Sequence, residues 1–220
     1  MKAAPIGVFC LIARTFANIG FDAFVPMLKY MGCVILALAI QCFVVYQLLL
    51  FLFTRLNPFK FLKKFFPVMN FAFTTATSNA TIPLSINTLD KKLGVSKKIS
   101  SFTIPLGATV NMDAVSILMS FMIMFFANAC GIHVSISLMI IILLANVLLS
   151  VGTPGVPGGA IASFAALATM AGLPAGVLGV YISINTLCDM GATCVNVIGD
   201  MACCSVLKNV IKVEEESFAK

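Results

Sequence analysis

Two aspartates, a threonine and an asparagine stand inside an apolar run of membrane-helix length, in Cys188–Asp200, CDMGATCVNVIGD. A carboxylate at the centre of a bilayer helix costs about 2.5–3.5 kcal/mol on insertion scales. A chain that places two in one segment must therefore fold so that both face a compensating partner. The run belongs to a bilayer and not to a soluble core, because the 220 residues are 60% hydrophobic and only 10% charged. Soluble domains carry about a quarter of their residues as charges. The net charge of +6 lies in lysine clusters near segment ends, which reads as membrane topology and not as a nucleic-acid surface. Eight cysteines, none at C-x-x-C spacing, read as small buried hydrophobes.

The segments follow from hydropathy and its interruptions. Residues 4–21 are expected to make one span, and residues 31–54, MGCVILALAIQCFVVYQLLLFLFT, make the clearest one. Residues 65–88 carry apolar flanks around a polar centre, TTATSNAT, closed by Pro83; a continuous span there would strand backbone or hydroxyl groups. Residues 99–130 are long enough to cross but are interrupted by TVNMDA, and residues 134–150 end in SVGTPGVPGGA, whose four glycines and two prolines must break a helix. Residues 160–171 and a final helix over about 175–208 complete the pass.

The two interrupted segments are expected to be re-entrant hairpins, helix–tip–helix. Lys60, Lys63, Lys64, Lys91, Lys92, Lys97, Lys98, Lys208 and Lys212 fall on one side, which the positive-inside rule makes cytoplasmic. The first hairpin then enters from the cytoplasm and the second from outside, each followed by a span with a polar break. Unit 65–131 is repeated in inverted orientation by 134–208, a layout of secondary transporters. The expected fold is an all-α integral membrane protein, an inverted-repeat transporter with two re-entrant helical hairpins and broken transmembrane helices. Its parts are two peripheral helices over 1–58, the first hairpin and broken span over 59–131, the second hairpin and final span over 132–212, and a cytoplasmic tail over 213–220.

Asp189, Thr193, Asn196 and Asp200 are spaced by four, three and four residues and fall on one helix face. Carboxylates and amides aimed into a bundle suit a cation and an ammonium group, since oxygen ligands bind hard cations; a polar helix–helix seam is the structural alternative. Asn111 and Asp113 are two residues apart, about 200° around an ideal helix, and converge only if the backbone unwinds, which also frees carbonyls as cation ligands. TSNAT and SVGTPGVPGG provide tips where helix ends can aim N–H groups at a carboxylate.

APIGVF, SFTIPLGATVNMD, SVGTPGVPGG and DMGATCVNVIGD, with TIP after the hydroxyl-rich tip, resemble the dicarboxylate/amino acid:cation symporter family, the glutamate-transporter fold, over nearly the whole chain. The resemblance implies a site. Asp189 would take a substrate's α-amino group and Asn196 its α-carboxylate, with Thr193, Gly155 and the tip residues Thr77, Ser78 and Asn79 beside them. Sodium would be held by Gly107, Asn111, Asn196 and Asp200; by backbone oxygens at Thr109, Ser150, Val151 and Thr153 near Met112; and, deeper, by Asn111 and Asp113. The segment Gly152–Gly159 would be the extracellular gate. The coupling ion implied is Na+, with H+ as the alternative.

Departures from the family pattern narrow the substrate. Members that take acidic amino acids usually carry Arg where this chain has Ala192, or at the tip position held by Ala76, and Thr where it has Val115. With no cation to meet a side-chain carboxylate, the expected substrate is a neutral amino acid, a dicarboxylate being disfavoured by Asp189. Four further spans of the family pattern, which form most of the scaffold and trimer contact, have no counterpart here. A homo-trimer in membrane lipid is therefore expected only with a full scaffold. A non-transporting fragment, or half of a split carrier, is the competing reading. An intramembrane aspartyl protease is the enzyme alternative, weakened because Val197 stands where that class needs glycine. The expected location is a multi-pass position in a bacterial inner membrane.

Overall fold

The computed structural model describes Ala13, Ala17 and residues 24–210, so the span expected over 4–21 lies outside the described residues. Among the described residues every regular element is a helix. Helix α1 (Phe24–Ile40) runs through a π turn (Gln41–Val45) into α2 (Tyr46–Thr54). There follow α3 (Pro58–Thr75), α4 (Ser78–Leu93), α5 (Lys97–Val110), α6 (Asp113–Ala129), α7 (Ile136–Val151), α8 (Ala160–Met170) and α9 (Val177–Val210). Among the described residues, three stretches are long and apolar enough to cross a membrane: Pro26–Thr54, Lys97–Ala129 and Ile184–Val210.

Helix limits follow from local chemistry. The Asn57 side chain accepts from Phe59 N at 3.0 Å and Lys60 N at 3.2 Å, with Pro58 at the first helical position, so α3 has to begin there. Its C-terminus is Ala76 in the left-handed region (φ 47°), a conformation glycine normally supplies. Gly94 (φ 61°) performs that role at the end of α4. The Ser96 and Ser135 hydroxyls accept from Lys98 N and Leu138 N and start α5 and α7. Between α5 and α6 the helix opens at Asn111 (ψ 78°) and Met112 (φ −115°).

One expectation fails. The last span was to hold a polar break, yet α9 is a single 34-residue helix through CDMGATCVNVIGD. It contains no proline, and its polar side chains fall on one face where neighbours meet them, so nothing forces the backbone open.

Helix α9 is the hub, and α2, α3, α4, α5 and α6 all pack on it. Its inner face buries Ala192, Val195, Ile198, Met201 and Cys204. Toward its start, Tyr181 stacks on Phe164 of α8 with centroids 3.9 Å apart and rings 10° from parallel, and Phe164 meets Phe126 of α6 at 6.0 Å. The polarity is inside out. Ile35, Leu36, Phe43, Leu52, Ile140, Leu144 and Leu148 point outward, while Ser100, Asn146, Asn196 and Asp200 are buried. That is the arrangement of a protein solvated by hydrocarbon, with polar groups turned inward, and it makes this a multi-pass membrane protein.

Candidate functional site

Three elements meet where the two hairpin tips approach each other. The tip of α3–α4 is only Ala76 and Thr77, whereas the α7–α8 link runs from Gly152 to Gly159. Thr77 Oγ1 donates to Gly155 O at 2.7 Å and Asn79 N donates to the same oxygen at 3.3 Å. Gly155 is also pressed against the end of α5: a Cβ there would lie 2.6 Å from Ala108 O. Only glycine lets the second tip close this far.

The stripe on α9 faces this junction. Asp189 Oδ2 accepts from Gly158 N at 3.3 Å. Asn196, 1% exposed, accepts from Ala114 N at 3.0 Å through Oδ1, and its Nδ2 reaches Met112 Sδ at 3.3 Å. Its side chain thus braces the restart of the helix at α6. Asp200, 3% exposed, accepts from Asn111 Nδ2 at 2.9 Å, and the same amide donates to Asn196 O at 3.1 Å. Gly107 makes room for that carboxylate, because a Cβ there would overlap it.

Asp113 is satisfied from another direction. Its Oδ2 accepts from Gln41 Nε2 and, at 2.5 Å, from Tyr46 Oη, while Oδ1 accepts from Ala114 N at 2.9 Å. The opened helix at Asn111–Met112 therefore lets Asn111 turn to α9 while Asp113 turns to the π turn. Lys97 pairs with Asp90 at 3.6 Å, on the surface and away from this junction. Among the described residues, the hydrogen bonds found to Asp113, Asp189 and Asp200 come from neutral donors.

Of the residues singled out from sequence, Ser78, Val115, Thr153, Gly155, Asp189, Thr193, Asn196 and Met112 line one small void of about 10 Å3, at the lower limit for a single water. Thr77 secures its edge. Asn79 is exposed, yet its backbone N–H bonds Gly155 O and its Oδ1 lies beside Gly155, 3.3 Å from where a Cβ there would stand. Ala192 is fully buried on α9 outside the lining of the void. Gly107, Asn111 and Asp200 line a separate groove of about 780 Å3, walled by Leu49, Phe53, Phe102, Leu106 and Leu207. Thr109 is exposed, its hydroxyl donating to Leu106 O at 2.9 Å. Ser150 and Thr153 are buried and bonded within the second hairpin, the Thr153 hydroxyl meeting Ser163 Oγ at 3.0 Å, and the Val151 side chain is exposed.

Sequence reasoning missed Gln41, Tyr46, Gly199 and Asn146. Asn146 Nδ2 donates to Ser116 O at 2.8 Å and Ser120 Oγ at 2.7 Å, tying α7 to α6. The signal for Gln41 and Tyr46 was present in IQCFVVYQ, polar groups inside the clearest span.

Oxygen atoms from carboxylate, amide and backbone gather around Asn111, Asn196 and Asp200, with the Gly107 cradle beside Asp200. This donor set suits a hard monovalent or divalent cation and not a thiolate- or imidazole-seeking metal. Asp189, beside hydroxyl and amide groups, suits a primary ammonium.

Comparison with known proteins accords with that chemistry. Residues 1–210 match the sodium:dicarboxylate symporter family. The chain is 33% identical over 213 residues to mouse neutral amino acid transporter B(0), covering 96% of this chain and 38% of that protein. It is 32% identical over 202 residues to an excitatory amino acid transporter of Caenorhabditis elegans, covering 91% of this chain and 40% of that one. The chain thus spans about two-fifths of the length of these relatives. The family and these relatives are transporters, not enzymes, which removes the protease alternative. With motifs, donor set and matched length in agreement, the chain belongs to the sodium:dicarboxylate symporter family.

Proposed function

We propose that this chain is the substrate- and ion-binding part of a sodium-coupled symporter for neutral amino acids that works by an elevator-like movement. The observation that carries the reading is the set of Asp113, Asp189 and Asp200, whose hydrogen bonds among the described residues come from neutral groups. Carboxylates held by neutral donors in a membrane protein are stabilised when cationic solutes arrive. Sodium would occupy the oxygen sets already named, Gly107, Asn111, Asn196 and Asp200 first among them. The substrate ammonium would take Asp189, and Asn196 would meet its carboxylate. Val115 and Ala192, both apolar and buried, leave no cation for an acidic side chain, which favours a neutral amino acid over aspartate. The retained Asp189 favours an amine over a plain dicarboxylate.

The junction suggests how access is controlled. A void of about 10 Å3 admits no amino acid, so the site must open. Gly158 N–H occupies the Asp189 carboxylate that the ammonium would need. Displacement of the Gly152–Gly159 tip frees Asp189, and reclosure over bound solute restores the Thr77–Gly155 latch. Coupling arises because reclosure is favourable only when ammonium and sodium together neutralise the acids. The membrane that fits the lysine asymmetry is a plasma membrane, the inner one for a bacterial source, and a trimer is proposed for the full-length assembly.

A second reading is a non-transporting fragment or half of a split carrier; the chain spans 38–40% of the length of the relatives it matches. Reconstitution into liposomes with an imposed sodium gradient separates the two. Sodium-dependent uptake of labelled alanine or serine exceeding that of aspartate is expected. Uptake led by aspartate, or indifferent to sodium, overturns the proposal. Sodium-dependent alanine binding without uptake selects the fragment reading.

A further inference from the structure

The helical segment Phe24–Thr54 is not a plain span. It contains a π turn over Gln41–Val45, closed by Tyr46 N–H bonding to Gln41 O, an i→i+5 bond. In an α-helix, residues five apart point about 140° away from each other. The π turn's extra residue brings position i+5 over position i, so the side chains of Gln41 and Tyr46 reach the same place. That place is one atom: both donate to Asp113 Oδ2. A second feature keeps Tyr46 there. Gly199 of α9 faces the Tyr46 ring, and a Cβ at Gly199 would overlap Tyr46 Cζ and Oη and lie 2.6 Å from Asn111 Nδ2. Tyr46 also lines the groove that exposes Asn111 and Asp200. A helix irregularity, a glycine on a different element and two convergent donors all serve one carboxylate.

We propose that Gln41 and Tyr46 are positioning residues for cation binding at Asn111 and Asp113, holding the Asp113 carboxylate in the orientation in which its free lone pairs meet the ion. The inference rests on the sodium reading above and adds to it a part for the peripheral span. Donors behind a metal-ligating carboxylate fix its rotamer, and their loss typically weakens metal affinity about 10–100-fold. Because both donors fall on Oδ2 and Ala114 N falls on Oδ1, the carboxylate plane is fixed at both ends.

The test uses the detergent-purified chain, with melting temperature followed as sodium replaces choline at constant ionic strength. Tyr46→Phe removes one hydroxyl and keeps the ring against Gly199; Gln41→Met keeps length without the donor. Each should raise the sodium concentration for half-maximal stabilisation by about 10–100-fold. In uptake, the same variants should raise the KM for sodium and leave the rate at saturating sodium unchanged. A lower sodium-free melting temperature with an unchanged half-saturation concentration would make these residues merely structural and overturn the proposal, as would tighter sodium binding. A wild-type chain whose melting ignores sodium overturns the sodium reading itself, and this inference with it.

Discussion

The two hairpins use similar helices and opposite tips. The first turns in two residues, Ala76 and Thr77, and its end away from the tip is held to its surroundings by lysines. Lys208 Nζ donates to Leu93 O at 2.6 Å, and Lys64 and Lys92 each donate to the other's carbonyl at 2.8 Å. Lys64 and Lys208 thus cap the C-terminus of α4, where carbonyl partners are unmet, while Lys92 reaches back to α3. The second tip runs from Gly152 to Gly159 with four glycines and two prolines, and Val151 and Val156 beside it are exposed. Its tip is tethered to the rest of the protein through Gly155 O and Gly158 N. A tight, capped turn resists motion, whereas a loop held by a few hydrogen bonds opens at low free energy. We propose from this comparison that the second tip moves and the first is its anvil.

The largest expected effect tests the tether that substrate must replace. Asp189→Asn keeps the size of the side chain and removes the charge that an ammonium needs. A buried charged hydrogen bond lost from one side costs about 2–5 kcal/mol, so half-saturation by alanine should rise at least about thirtyfold. Isothermal titration measures it. Unchanged affinity would mean that Asp189 serves only Gly158, and the second tip would then have no substrate to answer to.

Gly155→Ala comes next. Its Cβ would press on Ala108 O, a backbone atom that cannot step aside, and overpacking of this kind costs about 1–3 kcal/mol. Closure should suffer and the chain should still fold: substrate affinity is expected to fall about 5- to 150-fold with little change in the substrate-free melting temperature. A loss of folding stability without a change in affinity would show the junction to be static packing. Thr77→Val then cuts the latch from the anvil side. A neutral hydrogen bond contributes about 0.5–1.5 kcal/mol, so affinity should drop about 2- to 13-fold, and protease cleavage within Gly152–Gly159 should become faster.

Much of the fold was legible because membrane helices advertise themselves by length, and because TTATSNAT, TVNMDA and SVGTPGVPGGA are too polar or too rich in glycine and proline to stay helical in hydrocarbon. The structure has helix ends at Thr75, Val110 and Val151, inside or beside those stretches. The expected break in α9 failed because polarity alone does not open a helix when the polar side chains at its centre find neighbours, as Asn196 and Asp200 do. The partners of Asp113 were hidden for a different reason. At α-helical spacing Gln41 and Tyr46 point apart, and nothing local in QCFVV announces a π turn; the fit to Asp113 and Gly199 is tertiary. Asp189, Thr193 and Asn196 were readable from i, i+4 and i+7 spacing, but Gly158 as the present occupant of the Asp189 carboxylate was not, since irregular loops encode no periodicity.

The smallest effect sharpens the anvil itself. Ala76 holds φ 47° and ψ 37°, the left-handed region, at the C-terminus of α3. An L-residue there is strained by roughly 1–2 kcal/mol through its Cβ, and glycine in the equivalent place, as Gly94 shows at the end of α4, is not. Ala76→Gly therefore relieves strain in the folded protein while adding freedom to the unfolded chain, and the two oppose each other. The net expectation is a gain of up to about 1 kcal/mol, seen as a rise of a few degrees in melting temperature. If the first tip is passive, alanine affinity stays within about twofold, because Thr77 and its bond to Gly155 O are untouched. A melting temperature that rises while affinity falls beyond that limit would mean that the strained alanine holds Thr77 in register with the second tip. The strain would then belong to the site, and the first hairpin could no longer be treated as the inert partner.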